Sequence, residues 1–571
     1  MNVKFAHRNF LMALGVVVAL GACGGGGSDA PSMQRTTAYG PIVGTNDAAL
    51  SGTYFWKGVP FAQAPVGALR WRAPAEPTAW SAPLATDKFG NACIQNGRIY
   101  GPGSNNTYDS TIATTLNTPV GSEDCLTLNV WRPATKADGL PVIVFVYGGS
   151  NISGYTADPV YDGAALAKAA QAVVVTTNYR VGPLGFFNMA QLKGGTDAAE
   201  DSGNFALLDI IQALKFVKAN VAAFGGDAGN VTLMGQSAGA INVWALLASP
   251  LASGLFHKAV PLSGGISLAS NLPPGTIPTL NPPAASANQA NGLVARLLIA
   301  DGLAADMAAA QTLVAGMSSA EVAAYMRAKD AQVILSTLLA NGLTGSGPIP
   351  DGTVVPANPI SAIEAGNYNK VPVLAGMTAE EGKLFAPFLT LFGGPPGFLI
   401  TDAARFNLMA GYDPDAPPAV AIGDIIDAAY LPADTPSTGW NARTALITAG
   451  LFGASRDNVL NALKTQQPNV WYYQFNWAQQ PAPWDTIYGA AHAFDLPFVF
   501  GNFGPSLFSN VVNSAANQPG RLALSAAMMA SIAAFAKNGD PNHAGLGVTW
   551  QPWPGKLLFD ATATQAVITT Q

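Results

Sequence analysis

The sequence predicts an α/β domain, with a mostly parallel central sheet flanked by helices and two helical insertions over it. Three observations predict it. Val142-Ile143-Val144-Phe145-Val146 and Val173-Val174-Val175-Thr176-Thr177 are continuous, largely β-branched runs without polar alternation, as strands covered on both faces require. Asp162 to Ala172 and Leu207 to Phe224 follow with helical periodicity, the alternation that builds parallel sheets. Two stretches, about 266–346 and 384–468, then break away in composition, being Ala-rich with clusters of Pro.

In chain order, the amino terminus comes first. Lys4 and Arg8 precede an apolar run from Phe10 to Ala22, shorter than the ~20 residues of a spanning helix, so residues 1–22 are expected to be a signal peptide. Leu20-Gly21-Ala22-Cys23 resembles a bacterial lipobox, in which cleavage precedes a cysteine that is then acylated, and Gly24-Gly25-Gly26-Gly27-Ser28 is a flexible tether. The expectation is an exported protein held at the outer membrane by a lipid on Cys23, facing the periplasm or the outside, or else secreted. Residues 23–33 then form the tether and 34–571 the folded domain. Cys93 and Cys125 are left as an even pair, which in an exported chain favours a disulfide over two buried thiols. Past the two runs above, strands are expected at Val371 to Ala375 and Val470 to Phe475, with a helical insertion before each. Leu522 to Ala536 is apolar but too short to span and reads as a buried helix. No internal repeat is present.

Composition narrows the function. Of 571 residues, 49% are apolar and 11% charged, with a net charge of −6. The charged share is under half the ~25% of ordinary domains, which excludes a disordered chain and a nucleic-acid binder with a basic footprint. With 61 Gly and 42 Pro, the chain is loop-rich yet below the level at which disorder becomes the default.

The strongest local signal is Gly235-Gln236-Ser237-Ala238-Gly239, between the strand-like Asn230 to Met234 and the helix-like Ala240 to Ala248. Small residues around a serine at a strand-to-helix junction allow a sharp turn that exposes the hydroxyl, and the helix start aims N–H groups at developing negative charge. A serine hydroxyl needs a histidine base, held in one tautomer by a carboxylate. Of four histidines, His7 falls in the leader, His257 close behind the elbow helix, and His543 in a turn-like stretch. His492, in the loop Gly489-Ala490-Ala491-His492, remains. The carboxylate should follow a strand between Ser237 and His492. Glu381, after the strand ending at Ala375, satisfies this, with Glu380 its neighbouring rival and Asp351 a weaker one. Tyr147-Gly148-Gly149-Ser150, directly after the strand at Val142 to Val146, is a Gly-rich turn suited to bringing backbone N–H groups to an oxyanion.

These motifs resemble the type-B carboxylesterases, the family that includes the cholinesterases and bacterial para-nitrobenzyl esterases. The resemblance runs from about residue 38 to 556. It includes Phe55 to Ala62 with Leu69-Arg70-Trp71, Ser122 to Val130, Asn178 to Gly182, Phe224 to Asp227 into the elbow, Ser263-Gly264, and His492 to Phe500. It implies the α/β-hydrolase fold and a serine carboxylesterase working through an acyl-enzyme: Ser237 as nucleophile, Glu381 rather than Glu380 as acid, His492 as base. Gly149, Ser150 and Ala238 are then the oxyanion donors, with Gly148 shaping the turn. The resemblance also implies that Cys93 and Cys125 close a loop beside the gorge, and that Arg70 and Glu123 form a buried ion pair.

Three positions depart from the family pattern. Gln236 stands where the family usually has Glu, Ser150 replaces the third glycine of the oxyanion turn, and the Cys93–Cys125 loop contains no Trp, so a stacking platform for a quaternary ammonium is missing there. With Gln236 as a substrate-pocket candidate, the expected substrate is a small neutral ester, apolar or aromatic. Carbamates, activated amides and a non-catalytic cell-surface binding role are the alternatives. A monomer is expected, with no nucleic-acid partner. No cofactor or metal is expected, since H-E-x-x-H, C-x-x-C and a phosphate-binding glycine loop are all missing from the sequence.

Overall fold

The computed structural model describes residues 32–342, 347–507 and 509–571. The leader, Cys23 and the tether up to residue 31 lie outside the described residues. The strands of the central sheet are β1 (Thr45–Asp47), β2 (Thr53–Pro60), β3 (Thr127–Pro133), β4 (Leu140–Val146), β5 (Val173–Thr177), β6 (Gly226–Gln236), β7 (Lys258–Leu262), β8 (Val373–Thr378), β9 (Val470–Phe475), β10 (Leu557–Ala561) and β11 (Ala566–Thr570). Their order across the sheet is β11-β10-β9-β8-β7-β6-β4-β5-β3-β2-β1. From β5 to β10 every neighbouring pair is parallel. Antiparallel strands finish both edges.

The apolar runs form the middle of this sheet because strands covered by helices on both faces are built mostly from apolar side chains. Each residue of β5, β7 and β8 is buried. One strand shifts from its expected bounds. Residues 371–375 are the apolar run, but β8 starts at Val373, because Pro372 has no N–H for the ladder, and it continues to Thr378. Its Gly376 lies under the Tyr473 ring of β9, where a Cβ would come within 2.2 Å of ring carbon. That extension carries the strand to the turn that holds Glu381.

Helices α1 (Ala164–Ala170), α2 (Phe205–Asn220) and α3 (Ala238–Ala248) cross between the strands. The segment 266–346 holds α4 (Pro283–Ala300), α5 (Met307–Gly316), α6 (Ser319–Ala328) and α7 (Ala331–Ala340). Leu293, Leu297, Val322, Met326 and Ile334 pack there with Trp71, Phe187 and Phe205 into an apolar cluster apart from the main core. The segment 384–468 holds α8 (Asp402–Ala410), α9 (Trp440–Ile447) and α10 (Ala454–Lys464). Its Trp440, Ile447 and Leu460 join the main core. The apolar stretch near the carboxyl end is α11 (Gln518–Asn538), 50% buried. It lies against α1, β10 and β11, so its hydropathy is that of a core helix.

Two contacts secure the loop after β2. Cys93 and Cys125 form a disulfide with Cα atoms 4.9 Å apart. Arg70 pairs with both oxygens of Glu123, at 2.7 and 2.6 Å, and donates to the carbonyls of Met326, Arg327 and Lys329 at the end of α6.

Candidate active site

The elbow is built by steric exclusion. Strand β6 ends at Gln236, α3 begins at Ala238, and Ser237 between them takes φ 57° and ψ −123°, a conformation costing about 1–3 kcal/mol for a residue with a Cβ. Neighbouring glycines permit the turn. A Cβ on Gly239 would lie 2.1 Å from the Val146 carbonyl oxygen, and one on Gly235 2.5 Å from that of Gly239. The Ser237 N–H donates to the Leu262 carbonyl at 2.8 Å, and its own carbonyl accepts from Ile241 at 3.0 Å. The turn is thus pinned from both sides while the hydroxyl faces a cavity.

His492 lies in the loop after β9, and Glu381 in a single 3-10 turn after β8. Glu381 is fully buried. One of its oxygens accepts from the Thr378 N–H at 2.7 Å and the other meets Nδ1 of His492. The rings of Phe385 and Phe452 flank the imidazole at 4.8 and 5.0 Å between centroids. With Nδ1 donating to Glu381, Nε2 carries a lone pair, and the side-chain amide of Gln236 stands 3.1 Å from it. That nitrogen is where a proton from Ser237 would have to go.

The other sequence candidates separate clearly. Glu380 pairs with Lys383 at 2.6 Å and caps the Ala490 N–H at 2.9 Å. Asp351 accepts from the amides of 353–355 and from Asn204. His257 accepts from the Val231 N–H, and His543 approaches Ser531. None of these four lines the cavity beside Ser237.

The turn after β4 supplies the N–H groups. Gly149 has φ 110° and Ser150 φ 57°, and a Cβ on Gly149 would meet the Ser153 carbonyl oxygen at 2.2 Å. A Cβ on Gly148 would meet Ser237 Cβ and the Gln236 side chain, each at 2.8 Å. Gly148 therefore lets this turn close on the elbow. The Gly149 carbonyl is taken by the N–H groups of Ile152 and Ser153. The amides of Gly149, Ser150 and Ala238 donate to nothing among the described residues, which leaves them for a ligand.

The cavity, about 720 Å³ with its open mouth, is lined by Ser237, His492, Gln236, the 148–150 turn, Tyr100, Asp158, Val160, Tyr161, Leu384, Phe385, Ala493, Leu496, Pro497, Ser506 and Leu507. Tyr100 comes from the disulfide-closed loop, so that loop does border the site, with a tyrosine on the wall. Sequence reasoning missed Asp158, Phe385 and Phe452. No motif in the sequence singles out Asp158, and the two phenylalanines come from an insertion whose packing no local pattern reveals. A further buried carboxyl, Asp495, accepts from the Tyr473 hydroxyl at 2.8 Å. Burial pushes its pKa up to about 6, and the Glu381 charge adds to that, against the Tyr473 hydrogen bond and His492. Chemically, the arrangement offers a hydroxyl, a base oriented by a carboxylate, and free N–H donors around an apolar space.

The carboxylesterase family matches the chain over residues 31–566. The chain belongs to the carboxylesterase family. It is 31% identical over 467 residues to a para-nitrobenzyl esterase of Bacillus subtilis (strain 168), covering 82% of each. It is 32% identical over 546 residues to a fumonisin B1 esterase of Sphingopyxis macrogoltabida, covering 92% of this chain and 85% of the relative. Among solved structures, a para-nitrobenzyl (PNB) esterase superposes with a TM-score of 0.70 at 26% identity, over 95% of this chain and 97% of the other. A Geobacillus stearothermophilus carboxylesterase gives 0.68 at 27% identity, over 94% and 98%. This carboxylesterase thus has the α/β-hydrolase fold expected for it, and it is a hydrolase of carboxylic ester bonds.

Proposed function

We propose that this carboxylesterase is a serine hydrolase whose nucleophile is Ser237, whose general base is His492 and whose orienting acid is Glu381. The observation that carries the reading is the buried Glu381–His492 pair at the wall of the cavity that also exposes Ser237. Glu381 fixes the tautomer that leaves Nε2 basic. In the resting site Nε2 is engaged by Gln236, so the Ser237 hydroxyl takes that place when it attacks the ester carbonyl. The proton passes from Oγ to Nε2 and then to the leaving alcohol. Water, activated by the same nitrogen, hydrolyses the acyl-enzyme. The amides of Gly149, Ser150 and Ala238 receive the oxyanion, each worth about 2.7–4 kcal/mol if it behaves as other such donors do.

The walls support a substrate with an apolar or aromatic body: Leu384, Phe385, Leu496, Leu507 and Tyr161 offer no fixed charge. Rates on para-nitrophenyl esters of increasing acyl length and on aromatic diesters, with Ser237→Ala as control, test the reading. Equal activity in wild type and variant would reject Ser237. The reading also includes a monomeric enzyme, together with export and a lipid on Cys23, the last two supported by the lipobox-like sequence and the Gly-rich tether. Cys23→Ser should release the protein from membranes; unchanged membrane association rejects the anchor.

A further inference from the structure

One wall of the cavity holds a charge that the reaction does not use. Asp158 precedes the single 3-10 turn Pro159–Tyr161, and its Oδ1 accepts from the Val160 N–H at 3.0 Å. Its Oδ2 takes no hydrogen bond among the described residues. No Lys, Arg or His among them lies within ion-pair distance of it. The residue is only 7% exposed, and that exposure opens on the cavity lined by Ser237 and His492.

The local fold does not account for this charge. Capping one N–H needs one oxygen, and Asn or Ser would supply it as well. A buried carboxylate without a cation is destabilising. Burial pushes the Asp158 carboxyl up to about 6, still below neutral pH, and Asp158 is the one carboxylate among the residues that line this cavity. The hydroxyls of Tyr108, Tyr155 and Tyr161 sit within reach of its charge, and each is a neutral group rather than a positive one. Tyr100 and Tyr161 share the cavity wall with it, and aromatic faces attract cations. A cation is what the site lacks, and Asp158 lines the same cavity as Ser237 and His492.

We propose that Asp158 is a specificity-determining residue that binds an ammonium group carried by the ester substrate, on its acyl or its alcohol part. A primary ammonium fits better than a quaternary one, since it can donate an N–H to Oδ2 as well as neutralise it. The inference rests on Ser237 being the nucleophile, because only then is this cavity the substrate's. It modifies the expectation of a wholly neutral ester: the body is apolar and one end is charged.

The test compares isosteric ester pairs, para-nitrophenyl aminohexanoate with para-nitrophenyl heptanoate, and aminohexyl benzoate with heptyl benzoate. The readout is the ratio of kcat/KM within each pair, for wild type and for Asp158→Asn, which keeps the cap and the shape. In at least one pair the ratio should favour the ammonium ester and fall about tenfold or more in the variant. A ratio unmoved by the variant in both pairs overturns the proposal. If Asp158→Asn does not fold, hexylammonium and heptane-length alcohols are compared as competitive inhibitors of wild-type heptanoate hydrolysis. Stronger inhibition by the ammonium supports the site, and inhibition no stronger than the alcohol's overturns it. Hydrolysis that survives Ser237→Ala overturns the nucleophile reading itself. Unmoved ratios with hydrolysis abolished in Ser237→Ala overturn the ammonium site alone.

Discussion

Two of the buried carboxyls around the site contrast, Glu381 behind His492 and Asp158 in the cavity wall. Glu381 has both oxygens occupied, by the Thr378 N–H and the imidazole, and aromatic rings hold its partner. Asp158 has one oxygen occupied, by the Val160 N–H, and no recorded partner for the other, in a residue that lines the cavity. The difference separates a group whose position is fixed from a group whose partner is missing. Glu381 is built to hold one geometry, as catalysis demands. Asp158 holds a charge at a cost in stability, as recognition of a charged group demands. Glu380 marks the contrast from a third side, since it is next in sequence to Glu381 but spends its charge on Lys383.

The nucleophile should show the largest effect. Ser237→Ala should lower kcat on a para-nitrophenyl ester by at least about 10⁴-fold, with no burst of nitrophenol in single-turnover mixing. Glu381→Gln should cost about 10³–10⁴-fold in kcat, because the amide can stabilise the wrong imidazole tautomer. Glu380→Gln, assayed beside it, should stay within a few-fold of wild type. An equal loss in both would dissolve the distinction between the two glutamates. Gln236→Glu should move the acid limb of the kcat/KM profile to higher pH by about one unit, since it sets a negative charge beside the base. An unmoved limb would mean that the Gln236 contact with Nε2 does not persist in solution.

The smallest effect concerns stability and has its own sign. The Asp158 carboxyl releases its proton near pH 6 in the fold and near its ordinary 3.8 when unfolded. Between those values the folded state binds more protons, so this residue's contribution falls as pH rises from about 4 to about 6 and is flat above. Asp158→Asn removes that loss. The variant should therefore be more stable than wild type at neutral pH, by on the order of 1–3 kcal/mol, with the gain disappearing below about pH 4. Urea denaturation across that range measures it, and a variant less stable at neutral pH would show that the charge is paid for by a contact within the chain.

Much of this was legible in the sequence, for a physical reason. The middle strands read clearly because burial on both faces favours β-branched, mostly apolar residues in them, as in β5. The serine elbow was legible because the turn at Ser237 tolerates only glycine at 235 and 239. His492 emerged because histidines are few. Residue type alone left Glu380 and Glu381 open, since both follow β8 in one turn; the choice depends on which side chain reaches His492, a long-range contact that Glu381 makes while Glu380 pairs with Lys383. The phenylalanines beside His492 were not legible, being delivered by an insertion through long-range packing. Nor was the Gln236 contact, which joins residues far apart in the chain.

Arg70 has a consequence for where the enzyme becomes complete. Its guanidinium joins Glu123, beside the Cys125 crosslink, to the end of α6 in the first insertion. The loop closed by that crosslink brings Tyr100 to the cavity. With the thiols reduced, the loop would keep the Arg70–Glu123 pair and the Gln95 bonds to Ser153 and Gly154, so the stretch that carries Tyr100 would lose one restraint while the buried sheet stayed intact. Selectivity should then respond to a reductant at concentrations that leave the fold standing. Oxidation would act as the finishing step of manufacture, so that a chain held in a reducing compartment carries the chemistry but not the final shape of its door.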